Sequence, residues 1–298
     1  MSTRSTYPTI SLRDGTNMPG TAFGIGTAWF GSECVEVLKT ALKEGYTSYD
    51  LAEAYKNSGS FGKALKETST DPKSLFITTK LGANGMKDPK KGIDAELQAI
   101  GADYCNLLLL HWPTDFGKDG FPSMEEAWEG MIEVKASGKA KSIGVSNFRV
   151  KDLQKLVNMK KELPAVNQIE FHPFVYEESE ELVQFCDKHD IRIAAYGPTC
   201  PITKFSGGPF DKALSDVTDA VSSRQGSKVE PSQVLLKLAS QRGALVVTTS
   251  GKDWRMREQL ASGGIPSLTA EEIETLTKAA TPTRRHFMKH MSDKDTEY

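Results

Sequence analysis

Eight short apolar, β-rich runs alternate along the chain with helix-like stretches, and no GxGxxG turn follows the first run. These observations predict an α/β fold, a (β/α)8 TIM barrel, as a single domain over residues 1–298. Strands alternating with helices imply parallel pairing through right-handed crossovers. Eight such units occupy about 250 residues, and the chain has 298. A doubly wound sheet is the runner-up. It is disfavoured because "GIGTAWFG" (24–31) lacks the spacing of a dinucleotide-binding turn. No low-complexity linker divides the chain.

The elements can be taken in order. "TISLRDGTNMPG" (9–20) places Asp14-Gly15 between two short extended pieces, the signature of a hairpin. The eight barrel runs are then "FGIGTAW" (23–29), "TSYDLA" (47–52), "SLFITTKL" (74–81), "CNLLLLHWP" (105–113), "AKSIGVSNF" (140–148), "AVNQIEFHP" (165–173), "IRIAAYGP" (191–198) and "ALVVTTS" (244–250). Between them, "SECVEVLKTALKEG" (32–45) has helical apolar spacing, a Ser near its start and Gly45 at its end. Residues 123–138, 177–190, 230–243 and 253–261 read as helices for the same reasons. Trp128 and Met131 sit at helical spacing and belong to the core. The stretch "TCPITKFSGGPF" (199–210) reads as a surface loop whose Gly207-Gly208 pair could hinge.

Composition narrows the function. A formal net charge of −2 gives no electrostatic case for nucleic-acid binding. No apolar run is long enough to span a bilayer, and "MSTRSTYPTISL" (1–12) lacks the apolar core of a secretory signal. A cytoplasmic protein, monomeric or weakly dimeric, is expected. The four cysteines, at 34, 105, 186 and 200, form no CxxC pair and read as buried free thiols. No metal site is expected.

In a (β/α)8 barrel the chemistry lies at the C-terminal ends of the strands. The polar residues found there are Asp50 and Tyr55 after strand two, Lys80 at the end of strand three and His111 after strand four. Ser146 and Asn147 follow strand five, Asn167 and Gln168 lie on strand six, and Tyr196 on strand seven. Each has a plain structural explanation by itself: Lys80 as a first solvated residue, His111 as a rim histidine. Barrel closure brings them to one mouth. A lysine there would pair with the aspartate and would favour the phenolate of a neighbouring tyrosine, lowering its pKa. Such a tyrosine exchanges a proton near neutral pH. A histidine beside it could hydrogen-bond a substrate oxygen. The set suits carbonyl reduction, and because no side chain supplies hydride, a nicotinamide cofactor is implied.

Several spaced motifs then carry a resemblance over nearly the whole chain. They are "GYTSYDLAEAY" (45–55), "ITTKL" (77–81), "LLLLHWP" (107–113), "IGVSNF" (143–148), "NQIEFHP" (167–173), "AAYGP" (194–198) and "SGKDWRMREQ" (250–259). In this set the chain resembles the aldo-keto reductases. The resemblance implies a (β/α)8 barrel that binds NADPH, with NADH as the alternative, in extended form and without a Rossmann domain. It implies a catalytic tetrad of Asp50, Tyr55, Lys80 and His111. The family's carboxamide-binding residues fall on Ser146, Asn147 and Gln168, and its nicotinamide-stacking tyrosine on Tyr196, followed by Gly197 and Pro198. Gly26 and Thr27 fall in the segment that approaches the cofactor. Thr249, Ser250, Lys252, Arg255, Glu258 and Gln259 fall on the side of the 2′-phosphate and adenine.

The sequence departs from the family pattern in three places. Thr248-Thr249 stand where Pro-Lys is usual before Ser250, which removes one cation from the phosphate site; Lys252 could restore it. The usual Asn-Glu after the tyrosine is "NSGS" (57–60), and "YGP" replaces "YSP" at 196–198. Trp29, Trp112 and the tail "TPTRRHFMKHM" (281–291) are candidates to line a pocket for a small-molecule carbonyl substrate. Tyr55 and His111 would complete it at the reacting end. His172, in the structural "HP" stretch, is left outside the site. The chain is most similar to the family's fungal ketoreductases, including those acting on conjugated polyketones and α-keto compounds. The alternative of another class is a cofactor-sensing binding protein of the same fold, without significant turnover.

Overall fold

The computed structural model describes residues 5–118, 120–281 and 285–288. The first residues of the segment inspected for a secretory signal, and most of the tail proposed to line the pocket, lie outside the described residues.

The chain opens with an antiparallel hairpin, β1 (Thr9–Ser11) and β2 (Asn17–Pro19), paired in the register Ile10↔Met18. Its turn uses Gly15 at φ 83°, a conformation open to glycine at little cost. Leu12 and Met18 pack against Phe76, Leu107, Leu109, Val166, Ala194 and Leu245, which belong to the barrel strands. The hairpin therefore closes one end of the barrel and leaves the other end for chemistry.

Eight strands follow: β3 (Thr21–Gly24), β4 (Ser48–Asp50), β5 (Phe76–Leu81), β6 (Cys105–Leu110), β7 (Ala140–Ser146), β8 (Val166–Glu170), β9 (Arg192–Tyr196) and β10 (Leu245–Thr248). They form a closed barrel in chain order, β10 returning to β3 with Val246 opposite Thr21. All the barrel pairings are parallel. β5 and β10 are buried along their whole length, as expected of a sheet covered on both faces.

The outer elements are α1 (Val35–Glu44), α2 (Ser58–Thr68), α3 (Pro89–Ile100), α4 (Met124–Ala136), α5 (Val150–Asn158), α6 (Tyr176–Lys188), α7 (Cys200–Thr203), α8 (Pro209–Gln225), α9 (Pro231–Gln241), α10 (Asp253–Ala261) and α11 (Ala270–Ala280). α1 ends where predicted, at Gly45 with φ 102°. Ser123 caps α4 through a capping box with Glu126, and Trp128 and Met131 are fully buried beneath it. The four cysteines are free and buried. Among the described residues no helix is long and apolar enough to cross a membrane.

Two readings change. α2 and α3 carry internal glycines that hide their periodicity. Gly92 in α3 is needed because a β-carbon there would stand 2.5 Å from Gly85 Cα. The predicted surface loop at 199–210 is largely structured. α7 occupies its start, and Pro209 opens the long α8 from N-cap Gly208. The Gly207 N–H donates to Asp211 Oδ2 at 2.7 Å, which holds the glycine pair against α8.

Candidate active site

Lys80 is the hub at the open end of the barrel. It is fully buried near the end of β5 and has three ammonium protons to place. Its Nζ donates to Asp50 Oδ1 at 2.5 Å, to the Leu51 carbonyl at 2.9 Å and to Tyr55 Oη at 3.2 Å. Asp50 closes β4, and its second oxygen accepts from Gln168 Nε2 at 2.7 Å. A buried ion pair needs such extra hydrogen bonds to offset its desolvation.

Tyr55 sits at the end of a single 3₁₀ turn, Glu53–Tyr55, which the left-handed Lys56 terminates at φ 56°. The turn is anchored from below. Glu53 accepts the N–H groups of Gly82, Gly85 and Asn84 at 2.8, 2.9 and 3.2 Å. Asn57 Nδ2 reaches across to the carbonyls of Ile25 and Trp29. Ser58, in the departing "NSGS" stretch, donates to Glu96 of α3, which also accepts from Thr79.

His111 follows β6 with its ring edge-on to Tyr55, the centroids 5.6 Å apart at 79°. Its Nδ1 is buried without a partner among the described residues. Burial, with the Lys80 charge adding to it, holds this imidazole well below the usual histidine range, so it is neutral at neutral pH. The expectation for Tyr55 needs correction. Burial, with the Asp50 charge adding to it, raises its pKa more than the Lys80 cation lowers it, and the phenol lies above the ordinary tyrosine value. Tyr55 is therefore held as a neutral acid rather than tuned toward phenolate.

Opposite stand the amide and hydroxyl groups. Ser146 Oγ donates to the Gln168 carbonyl at 2.8 Å. Asn147 adopts φ 61°, which asparagine tolerates better than most residues. Its Nδ2 donates to Ser146 Oγ and to the His111 carbonyl, and its Oδ1 accepts from Tyr196 Oη at 2.8 Å. Asn167, by contrast, turns outward to the backbone of Phe148.

These groups share one cavity of about 630 Å³. Asp50, Tyr55, His111, Ser146, Asn147, Gln168 and Tyr196 line it, together with Gly26, Thr27, Gly197, Pro198, Trp112 and Thr249. Trp112 is steadied by its Nε1 donating to Asp115 at 2.6 Å. Trp29 is not among the lining groups. It packs on Phe23, with ring centroids 6.1 Å apart, and the exposed Phe30 lines the cavity instead. Lys204, Phe287 and Met288 are further lining residues that the strand-end search passed over. The two from the tail are far from any strand end, but they belong to the segment 281–291 expected to line the pocket.

The predicted phosphate-side residues divide. Thr249 lines the cavity and donates to the Gly24 carbonyl at 2.8 Å. Ser250 is buried beside it and its Oγ accepts the Lys252 N–H. Lys252 and Arg255 are exposed at the start of α10, both over the Trp254 ring, at 5.8 and 4.8 Å. Gln259 is buried with both ends of its amide engaged, accepting from Tyr46 Oη and donating to the Thr249 carbonyl. It braces Thr249 rather than facing the cavity. Glu258 does not line the cavity either, and its carboxyl is raised by burial and by Glu230.

The model of the aldo/keto reductase family matches residues 20–281. The chain belongs to the aldo/keto reductase family. It is 36% identical over 286 residues to an NAD/NADP-dependent indole-3-acetaldehyde reductase of Schizosaccharomyces pombe, covering 94% of this chain and 98% of the relative. It is equally similar, at 36%, to an NADPH-dependent alpha-keto amide reductase of Saccharomyces cerevisiae, covering 90% and 89%. The crystal structure of a Bombyx mori aldo-keto reductase in complex with NADP superposes with a TM-score of 0.82 at 26% identity, over 96% of this chain and 97% of that one. As an aldo/keto reductase the chain is an NADP(H)-dependent oxidoreductase that reduces carbonyl groups to alcohols. Nothing in these relatives supports a cofactor sensor without turnover.

Proposed function

We propose that Tyr55 is the proton donor of this reductase, held by Lys80 and Asp50, and that the preferred substrates are α-keto or conjugated dicarbonyl compounds. The observation that carries the reading is the Lys80 ammonium, which, buried behind the cavity wall, touches at once Asp50 and Tyr55 that line it. The donor set fits a nicotinamide. The Ser146 hydroxyl and the Asn147 and Gln168 amides lie on one wall, and the flat ring of Tyr196 stands beside them. These residues would hold the carboxamide and one ring face. Lys252 and Arg255 would meet the 2′-phosphate outside the deep cavity, and Ser250 would support that loop. The cofactor, when bound, supplies the hydride to the carbonyl carbon.

The rest is the work of the chain. Tyr55 Oη gives its proton to the carbonyl oxygen, and the Lys80 cation stabilises the phenolate left behind. Neutral His111 lines the cavity edge-on to Tyr55 and can hydrogen-bond that oxygen. Phe30, Trp112, Phe287 and Met288 give the far wall an apolar, partly aromatic surface. Such a surface favours a substituted or conjugated carbonyl over a small hydrated one. The same proposal has the protein working as one barrel domain and as a cytoplasmic monomer or weak homodimer.

The test is a panel of aldehydes, α-keto esters and diketones read by loss of nicotinamide absorbance, with Tyr55→Phe beside the wild type. General acid catalysis contributes about 10²–10⁴-fold, so the variant should lose that much turnover while still binding NADPH. A Tyr55→Phe enzyme that keeps most of its turnover removes Tyr55 from the role.

A further inference from the structure

Glu170 is a buried carboxylate engaged in a way that proton transfer does not call for. It closes β8 and is 7% exposed. Its Oε1 accepts from the backbone N–H of Phe287 at 2.6 Å and from His172 Nε2 at 2.8 Å, and its Oε2 accepts from the N–H of Met288 at 3.1 Å. His286, the preceding residue, places Nδ1 3.6 Å from Glu170 Oε2 and Nε2 2.8 Å from Glu178 Oε2 in α6. Three consecutive residues of the C-terminal segment are thus gripped by a carboxylate of the barrel and one of an outer helix. The side chains of two of them, Phe287 and Met288, face the catalytic cavity. Lys204, which also lines the cavity, lies over the Phe287 ring at 4.8 Å.

The grip is charge-assisted. Burial works against the Glu170 carboxylate, but the hydrogen bonds from His172, His286 and the Phe287 N–H outweigh it and hold its pKa down to about 2. Ordering a backbone segment costs conformational entropy, and the bonds to Glu170 and Glu178 offset that cost for residues 286–288. The barrel does not depend on them, since its sheet closes without residues 285–288.

We propose that Glu170 and His286 are positioning residues that fix the C-terminal segment as a wall of the carbonyl pocket and thereby set which carbonyl substituents are accepted. This rests on the reading of the cavity as the reduction site. A bulky aromatic substituent must lean on Phe287 and Met288, whereas a three-carbon dicarbonyl can react beside Tyr55 without reaching them.

The experiment compares wild type, His286→Ala, His286→Gln and Glu170→Gln with two substrates, methylglyoxal and ethyl benzoylformate. Steady-state kinetics, an NADPH fluorescence titration and a thermal melt are read for each. For ethyl benzoylformate, KM should rise about tenfold in His286→Ala and Glu170→Gln, the worth of one charge-assisted hydrogen bond, with kcat nearly unchanged. His286→Gln, which keeps a donor, should recover part of the loss. Methylglyoxal kcat/KM and NADPH affinity should stay at the wild-type level. Equal losses with both substrates, no change with either, or a fall in NADPH affinity would overturn the proposal. Should Glu170→Gln fold poorly, His286→Ala decides, because that residue lies outside the barrel. A wild-type enzyme that turns over neither substrate instead overturns the reading of the cavity, and the proposal with it.

Discussion

The ammonium of Lys80 stands 3.2 Å from the phenolic oxygen of Tyr55, close enough for its charge to act on the proton that the tyrosine has to give up. Burial, joined by the Asp50 charge, acts in the opposite direction and prevails. The result is a phenol that keeps its proton at neutral pH beside a cation ready to stabilise the phenolate once the proton has gone.

Replacing Lys80 with Met should therefore injure both chemistry and fold. Without the cation, Tyr55 becomes a weaker acid, and kcat/KM should fall by up to the 10²–10⁴-fold that general acid catalysis contributes. Asp50 would be left buried without its counter-ion, which costs about 3–5 kcal/mol. The sign with pH follows from Lys80, for which burial lowers the pKa but Asp50 and Tyr55 raise it further, leaving it above the ordinary lysine value. Its contribution to stability is complete below about 10.4 and is lost as pH rises through the folded value. Urea unfolding of wild type and Lys80→Met between pH 8 and the alkaline limit should show the two curves converging. Parallel curves would exclude the coupling.

His111 should titrate the other way. Its folded pKa is held well below the usual range by burial and by Lys80, while the unfolded chain takes up a proton near about 6.5. The stability tied to this residue is present above that pH and declines as pH falls. Wild type should lose denaturation midpoint between pH 7 and 5 more steeply than His111→Gln. An imidazole that titrates near its ordinary value by proton NMR would contradict this.

Gly26 should not accept a methyl group. A β-carbon there would lie 2.8 Å from Tyr55 Cζ and 3.1 Å from both Cε atoms, inside van der Waals contact, so the tyrosine ring must move. Gly26→Ala should lower kcat sharply while shifting the melting temperature little, since both residues border the cavity rather than the core. A variant with wild-type kcat would show that the ring has room to yield.

Cofactor choice should rest on the start of α10. Arg255 is exposed, with its guanidinium 4.8 Å from the centre of the Trp254 ring, and guanidinium pairs well with phosphate. A charge-assisted contact is worth about 1.5–3 kcal/mol, so Arg255→Ala should raise the KM for NADPH about tenfold or more and leave NADH almost unaffected. Thr249→Lys adds a cation but gives up the hydrogen bond to Gly24, so its gain for NADPH should be smaller than Arg255's loss. Titrating both cofactors against the three proteins checks this, and equal NADPH and NADH affinity in the wild type would refute it.

The sequence by itself determined the barrel and most of its mouth. Alternating strand and helix periods are local properties, and eight of them in a row leave few ways to bury the apolar runs. A polar residue closing such a run, such as Asp50 or Lys80, must then emerge at the same rim as the others. Tertiary structure decided what no local pattern encodes. α2 and α3 were obscured by glycines whose reason is a neighbour, as Gly92 against Gly85 shows. Trp29 and Phe30 are adjacent in sequence, and only the packing of Phe23 determined which ring turned from the cavity. Gln259 looked like a ligand contact until Tyr46 and the Thr249 carbonyl took both ends of its amide. The direction of the Tyr55 pKa depended on how much water the surrounding elements exclude, so the Lys80 charge alone misjudged it. Glu170 met Phe287 and Met288 across a separation of 117 and 118 residues. A contact at that range has no period to announce it, because the folded chain alone brings the two segments within hydrogen-bonding distance.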